Sequence, residues 1–166
     1  MKKPNYKSIA AAVIATVAVA ACSVDGHRGN GDDNYFSAFH TFRDTNWDYA
    51  DTLHFRVDTI RDSISHSGRF LVSVRHTHGY GYSNLWLELS TPLTDSTRRA
   101  DTLNLRLADD YGRWLGSGMG TSMMVTDTLP GRYDLRRGSD ITLRHIMRTD
   151  TLDAIEQVGV VFIPND

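Results

Sequence analysis

The chain contains a single cysteine, Cys22, so no intramolecular disulfide can staple it. Lysine is confined to Lys2, Lys3 and Lys7, and every later basic residue is an arginine. No apolar run reaches the roughly 18–20 residues that a membrane-spanning helix needs. The motifs of common catalytic centres are missing too. Without G-x-S-x-G there is no nucleophile elbow, and without H-E-x-x-H there is no zinc-protease helix. The glycine-rich stretch Gly116-Ser117-Gly118-Met119-Gly120-Thr121-Ser122 lacks both the Lys-Ser/Thr pair and the following helix of a phosphate loop. It reads as a turn or bulge. No enzymatic activity, cofactor or metal is expected from these residues.

The most informative segment that is present runs from Ile9 to Ala21 and ends at Cys22. A basic start, a short apolar centre and a small-residue exit make a secretory signal. Its last residues, Val19-Ala20-Ala21-Cys22, resemble a bacterial lipobox, in which the cysteine is acylated and becomes the first residue of the mature protein. Residues 1–21 therefore read as a lipoprotein signal peptide. Residues 22–34 read as a flexible tether carrying acylated Cys22, and residues 35–166 as one β-sandwich domain. The tether holds Gly26, Gly29 and Gly31 among polar residues and cannot bury enough apolar surface to order itself.

Cleavage before Cys22 leaves fifteen arginines against twenty acidic residues, a formal charge of −5. That balance disfavours nonspecific nucleic-acid binding, which depends on excess positive charge.

Beyond Tyr35 the pattern is that of strands. Leu53-Phe55-Val57, Leu71 to Val74, Leu85-Leu87-Leu89, Leu103-Leu105-Leu107, Ile141-Leu143 and Val158 to Ile163 are separated by turn residues such as Pro130-Gly131 and Arg137-Gly138. Period-two alternation at this spacing predicts an all-β fold: an antiparallel two-sheet β-sandwich, jelly-roll-like, with little helix. Short helical signals at Leu143 to Met147 and Leu152 to Gln157 compete with it. Asp-Thr recurs at residues 44, 51, 58, 101, 127 and 150, and suits turns and strand entries rather than a functional repeat.

Few residues suggest chemistry. His76-x-His78 has a usable metal spacing on a strand, with His54, His66 or His145 as a third ligand. Gly79 follows at once, so the preferred reading is a pair of solvated loop histidines. Asp109-Asp110 adjoins a turn and reads as a solvated loop rather than a calcium or sugar site. Trp86 lies between Leu85 and Leu87; if the leucines line a core, Trp86 faces outward. Trp86, Trp114 and Tyr82 are therefore the candidates for an interaction surface.

Several segments together resemble a known family. Trp47-Asp48, Tyr82-Ser83-Asn84-Leu85-Trp86-Leu87, Asp101-Thr102-Leu103 leading to Leu107-Ala108-Asp109, and Gly112-Arg113-Trp114-Leu115-Gly116-Ser117-Gly118 are similar to the gliding-motility lipoprotein GldH family of Bacteroidetes. Gly131-x-Tyr133, His145-Ile146-Met147-Arg148 and Val158-Gly159-Val160 continue the match, behind the cysteine at Cys22. The resemblance implies an envelope lipoprotein, held in the membrane by its N-terminal lipid. Its implied partners are other envelope proteins, gliding and type IX secretion components among them. It carries over no catalytic residue. Asp25, Asp32 and Asp33 are too scattered to resemble the acidic surface-export signal of this phylum, which favours the outer membrane facing the periplasm. The alternative is an envelope glycan-binding module that uses outward aromatics.

Overall fold

The computed structural model describes residues 36–60, 64–94 and 96–165. Among them there is no helix, and twelve strands follow in order. They are β1 (Phe36–Thr41), β2 (Trp47–Asp48), β3 (Leu53–Arg56), β4 (His66–Thr77), β5 (Asn84–Pro92) and β6 (Arg98–Arg106). The second half holds β7 (Ser117–Met119), β8 (Ser122–Thr128), β9 (Tyr133–Leu135), β10 (Asp140–His145), β11 (Thr151–Leu152) and β12 (Ile155–Pro164). The signal, the tether and Cys22 lie outside the described residues.

One sheet has the order β1-β12-β4-β8-β7, with β9 also pairing β4, and the other has β3-β10-β5-β6. A short third ladder joins β2 to β11. All pairings are antiparallel. The pairs β1·β12, β2·β11, β3·β10, β4·β9 with β4·β8, and β5·β6 nest inside one another, as in a single long hairpin. Rolled up so that its plies alternate between two layers, such a ribbon is a jelly roll. The expected all-β sandwich is the observed fold.

The inner faces meet through alternate residues, as a pleated strand requires. Leu85, Leu87 and Leu89 of β5, Ile141 and Leu143 of β10, and Leu103 and Leu105 of β6 face Phe70, Val72 and Val74 of β4 and Val158, Val160 and Phe162 of β12. Fully burying each such side chain stabilises the fold by about 1.5–3 kcal/mol. The two short helical signals lose to this packing. Leu143 to His145 stay in β10, and the chain from Leu152 to Gln157 turns at Ala154 (φ 64°) into a register shift at the start of β12.

The register gives the sandwich two distinct ends. Phe36, Phe162 and Phe70 lie in one row, and Tyr133 stands opposite Gly68 just beyond it. This is the entry end, where the chain comes into β1. Pro92, Arg98 and Asp140 bring the other sheet to the same end, since Arg98 donates to the Asp140 carbonyl at 2.9 Å and Arg99 lies over the Tyr133 ring. At the opposite end Trp47 is wholly buried; its indole N–H donates to the Asp51 carbonyl at 3.1 Å, and its ring meets Phe42 and His145.

On the outer face of the first sheet Phe39, 47% exposed, lies flat across Gly159 of the neighbouring strand. Any Cβ at position 159 would overlap that ring. Gly159→Ala is expected to destabilise the domain by about 1–3 kcal/mol, the range for overpacking. The cost should shrink in a Phe39→Ala background, where the obstacle is gone. Urea unfolding of the four proteins checks this, and equal costs in both backgrounds would disprove the contact.

Candidate functional site

The interaction candidates lie at the end opposite the entry. Leu85 and Leu87 are completely buried, so alternation turns Trp86 outward, where it is 42% exposed. After pairing Leu87 through His145, the chain leaving β10 continues beside Trp86. The Ile146 N–H donates to the Trp86 carbonyl at 2.9 Å, and the Trp86 N–H lies 3.3 Å from Met147 Sδ. Tyr82, 44% exposed, stands on the connection before β5 and meets the Tyr80 ring edge-on at 5.6 Å. Tyr82, Trp86, Ile146, Met147 and Arg148 line a cleft of about 420 Å³. Among the described residues its polar side-chain groups are the Tyr82 hydroxyl, the Trp86 indole N–H and the Arg148 guanidinium.

The third candidate, Trp114, is placed differently. It is half-buried against the core, packed edge-on to His76 at 4.6 Å and stacked near-parallel with His78 at 6.5 Å. It does not line the cleft. The structure thus brings Trp86 and Tyr82 together and puts Trp114 beside His76 and His78. Tyr80 itself is buried, with its hydroxyl donating to the Asn84 carbonyl at 3.1 Å, and burial pushes that hydroxyl well above the ordinary tyrosine range.

The reading of His76 and His78 as solvated loop residues holds for one of them only. His78 is exposed after β4, whereas His76 belongs to β4 and is fully buried. Gly79 does not pull His76 into a loop because β4 stays paired as far as Thr77. Among the described residues no group of three His, Cys, Asp or Glu is placed to hold a metal ion. Asp109 organises its own loop, accepting from the backbone N–H of Arg113 and of Tyr111 and from Arg113 Nε. These bonds, the Arg113 backbone first, hold its carboxyl below the ordinary range. Asp110 pairs with Arg106.

Ile146, Met147 and Arg148 were not singled out as site residues from the sequence. The usable signal was the end of the alternation at His145, beyond which the chain is free to run along the neighbouring strand.

Residues 34–162 match the family model described as GldH lipoprotein. The chain belongs to the GldH lipoprotein family. It is therefore a gliding-motility-associated lipoprotein of the cell envelope, and the family is not an enzyme family. Comparison with curated proteins gives no match. Among solved structures the chain is similar to Eiger TNF from S. frugiperda, at 11% identity and a TM-score of 0.36, over 80% of this chain and 95% of that one. It is also similar to CBM35 from Cellvibrio japonicus Abf62, at 19% identity and a TM-score of 0.33, over 69% of this chain and 68% of that one. The structure of Cocksfoot mottle virus is matched at 13% identity and a TM-score of 0.33, over all of this chain and 97% of that one. Likenesses this distant carry no functional argument.

Two buried histidines of this GldH-family domain have a consequence for its stability. His145 sits between the Trp47 and Tyr49 rings, and neither of its nitrogens makes a hydrogen bond. His76 has only the Thr77 carbonyl, at 2.9 Å from Nδ1. Burial lowers both below the ordinary value of 6.5; the Thr77 carbonyl for His76, and the nearby Trp47 and Asp48 backbone for His145, oppose it only in part. The unfolded chain then binds protons that the native one refuses. Stability is therefore full above the unfolded value and is lost as pH falls below it, by at most about 1.4 kcal/mol per pH unit for each histidine. Melting temperatures should fall between about pH 7.5 and about pH 5, and His145→Phe should flatten the drop. A profile unchanged by that substitution would show that His145 titrates normally.

Proposed function

We propose that the chain is acylated at Cys22 after removal of residues 1–21, sits on the outer membrane facing the periplasm, and docks on gliding and type IX secretion components through the Trp86 cleft. The observation that carries the docking is the pairing of Trp86 and Tyr82, two half-exposed rings over an apolar floor of Ile146 and Met147. Such a concave aromatic and methionine surface suits an apolar side chain of a protein partner. Arg148 at its rim favours an acidic neighbour on that partner. Lipid anchoring raises the local concentration at the membrane, so one small cleft suffices to hold a complex.

A glycan-binding module is the second reading, favoured by the exposure of the same two rings. Sugar sites also need several fixed polar groups, and among the described residues this cleft supplies three, the Tyr82 hydroxyl, the Trp86 indole N–H and Arg148. Protein docking fits these residues better.

Cys22→Ser is expected to move the protein from the membrane to the soluble fraction and to abolish labelling with palmitate; retention in the membrane would refute acylation. A photo-crosslinker at Tyr82 should capture a gliding or secretion component in cells. Trp86→Ala should cut that capture by about tenfold, as expected for loss of a buried aromatic anchor. Adducts that ignore Trp86→Ala, or glycan retained on the purified protein in their place, would move the second reading ahead.

A further inference from the structure

A second cleft, of about 570 Å³ against about 420 Å³ for the Trp86 cleft, lies at the entry end, opposite it. Arg98, Arg99, Arg132, Arg136 and Arg137 line it, against Asp134 and Asp140. Five of the fifteen arginines beyond the signal thus converge on one cleft of a chain whose formal charge there is −5. The hydroxyl-bearing Ser65, Thr94 and Ser139 stand among them.

Two of the arginines are built into the frame. Arg98 crosses the sheet, donating from Nε to Ser90 Oγ and from Nη2 to the carbonyls of Ser90 and Asp140, each at 2.9 Å. Arg99 is held by Asp101, at 2.6 Å from Nε, and packs over the Tyr133 ring at 4.4 Å. Its Nη1 donates to the Arg132 carbonyl at 2.8 Å, fixing the loop that carries Arg132. Gly131, at φ 109°, makes room for it: a Cβ there would stand 2.8 Å from Arg99 Nη2. Arg132, Arg136 and Arg137 are exposed and have no ion pair with any described residue. Of the two acids, Asp140 is engaged by His54 at 3.0 Å.

We infer that this cleft binds the phosphate-bearing headgroups of the membrane in which the protein is anchored. Three observations choose that occupant. Among the described residues the lining has three more arginines than acids, so its complement carries more than one negative charge, as phosphate groups do. The volume admits a headgroup rather than a folded partner. The cleft shares the end of the sandwich at which the chain enters β1 at Phe36, fourteen residues after Cys22. At about 3.4 Å per residue that segment reaches no farther than about 48 Å. The inference rests on the acylation of Cys22 for its membrane. The Cys22→Ser fractionation and palmitate labelling described above test that part separately.

The mature chain carrying Cys22→Ser, which has no lipid to insert, should sediment with vesicles of phosphatidylcholine and phosphatidylglycerol and not with phosphatidylcholine alone. Binding should weaken with salt. Arg136→Gln with Arg137→Gln should weaken it by roughly 20–30-fold, at about fivefold for each basic residue near an anionic surface. Arg43→Gln with Arg75→Gln, exposed residues just past β1 and near the far end of β4 that line neither cleft, should leave it unchanged. Binding equal on both vesicle types, or insensitive to the Arg136 and Arg137 changes, would overturn the inference. So would free pyrophosphate that saturates the cleft while vesicles fail to bind, which would identify a soluble phosphate ligand instead.

Discussion

A long antiparallel hairpin leaves the outer edge of each ply unpaired and half of its side chains without cover. Rolling the ribbon solves both problems at once, because a ply of one turn becomes the neighbour of a ply of the next. That is how β10 comes to pair β5 as well as β3, and how β12 pairs β4 as well as β1. Hydrogen bonding and burial are then satisfied by one movement, and the inner rows of β4, β5, β10 and β12 become the core. The edges that remain are blunted. β7 is three residues long, and the outer edge β6 alternates buried leucines with arginines and other polar residues.

The roll also decides where binding surfaces can be. The outer face of the β5 sheet is occupied by its own side chains, Arg98 across three strands and Arg144 paired with Glu88 at 2.8 Å. Exposed ion pairs of this kind stabilise little, but they leave few groups free for a ligand. The outer face of the other sheet is partly covered by Phe39. What remains is the two ends, where strands stop and connections diverge. One end gathers the exposed aromatics Tyr49, Tyr82 and Trp86 and both buried histidines, and the other gathers five arginines.

Strand alternation made the layers legible from sequence, and it did so best where one face is wet. In β5 the buried leucines and the outward Trp86 follow directly from Leu85-Trp86-Leu87. β12 is harder, because Val158 to Ile163 is apolar on both faces: Val158, Val160 and Phe162 point inward while Gly159 lies beneath Phe39. His76 was misread as a solvated loop residue for a related reason. Alternation assigns a side to a residue but says nothing of what the rest of the chain lays over it, and the Trp114 ring packs directly against His76. The arginine cleft was the least legible feature. Arg98-Arg99 and Arg136-Arg137 are nearly forty residues apart and meet only through the roll, and the hydrogen bond from Arg99 to the Arg132 carbonyl has no signature in the sequence.

The segregation of charge would give the domain, anchored as proposed, a preferred orientation. A body of net charge −5 is repelled by an anionic membrane as a whole, but ionic screening shortens that repulsion to about 8 Å at physiological salt. β4 alone has twelve residues, so the sandwich is on the order of 40 Å long at about 3.3 Å per residue. Charges at the far end are several screening lengths from the surface and contribute almost nothing. Only the entry end would then interact strongly, because there the arginines reverse the local sign. With Cys22 acylated and the arginine cleft binding headgroups, as proposed, both would act on the same end of the domain. Together they would turn the Trp86 cleft away from the bilayer, toward the space in which a partner could reach it.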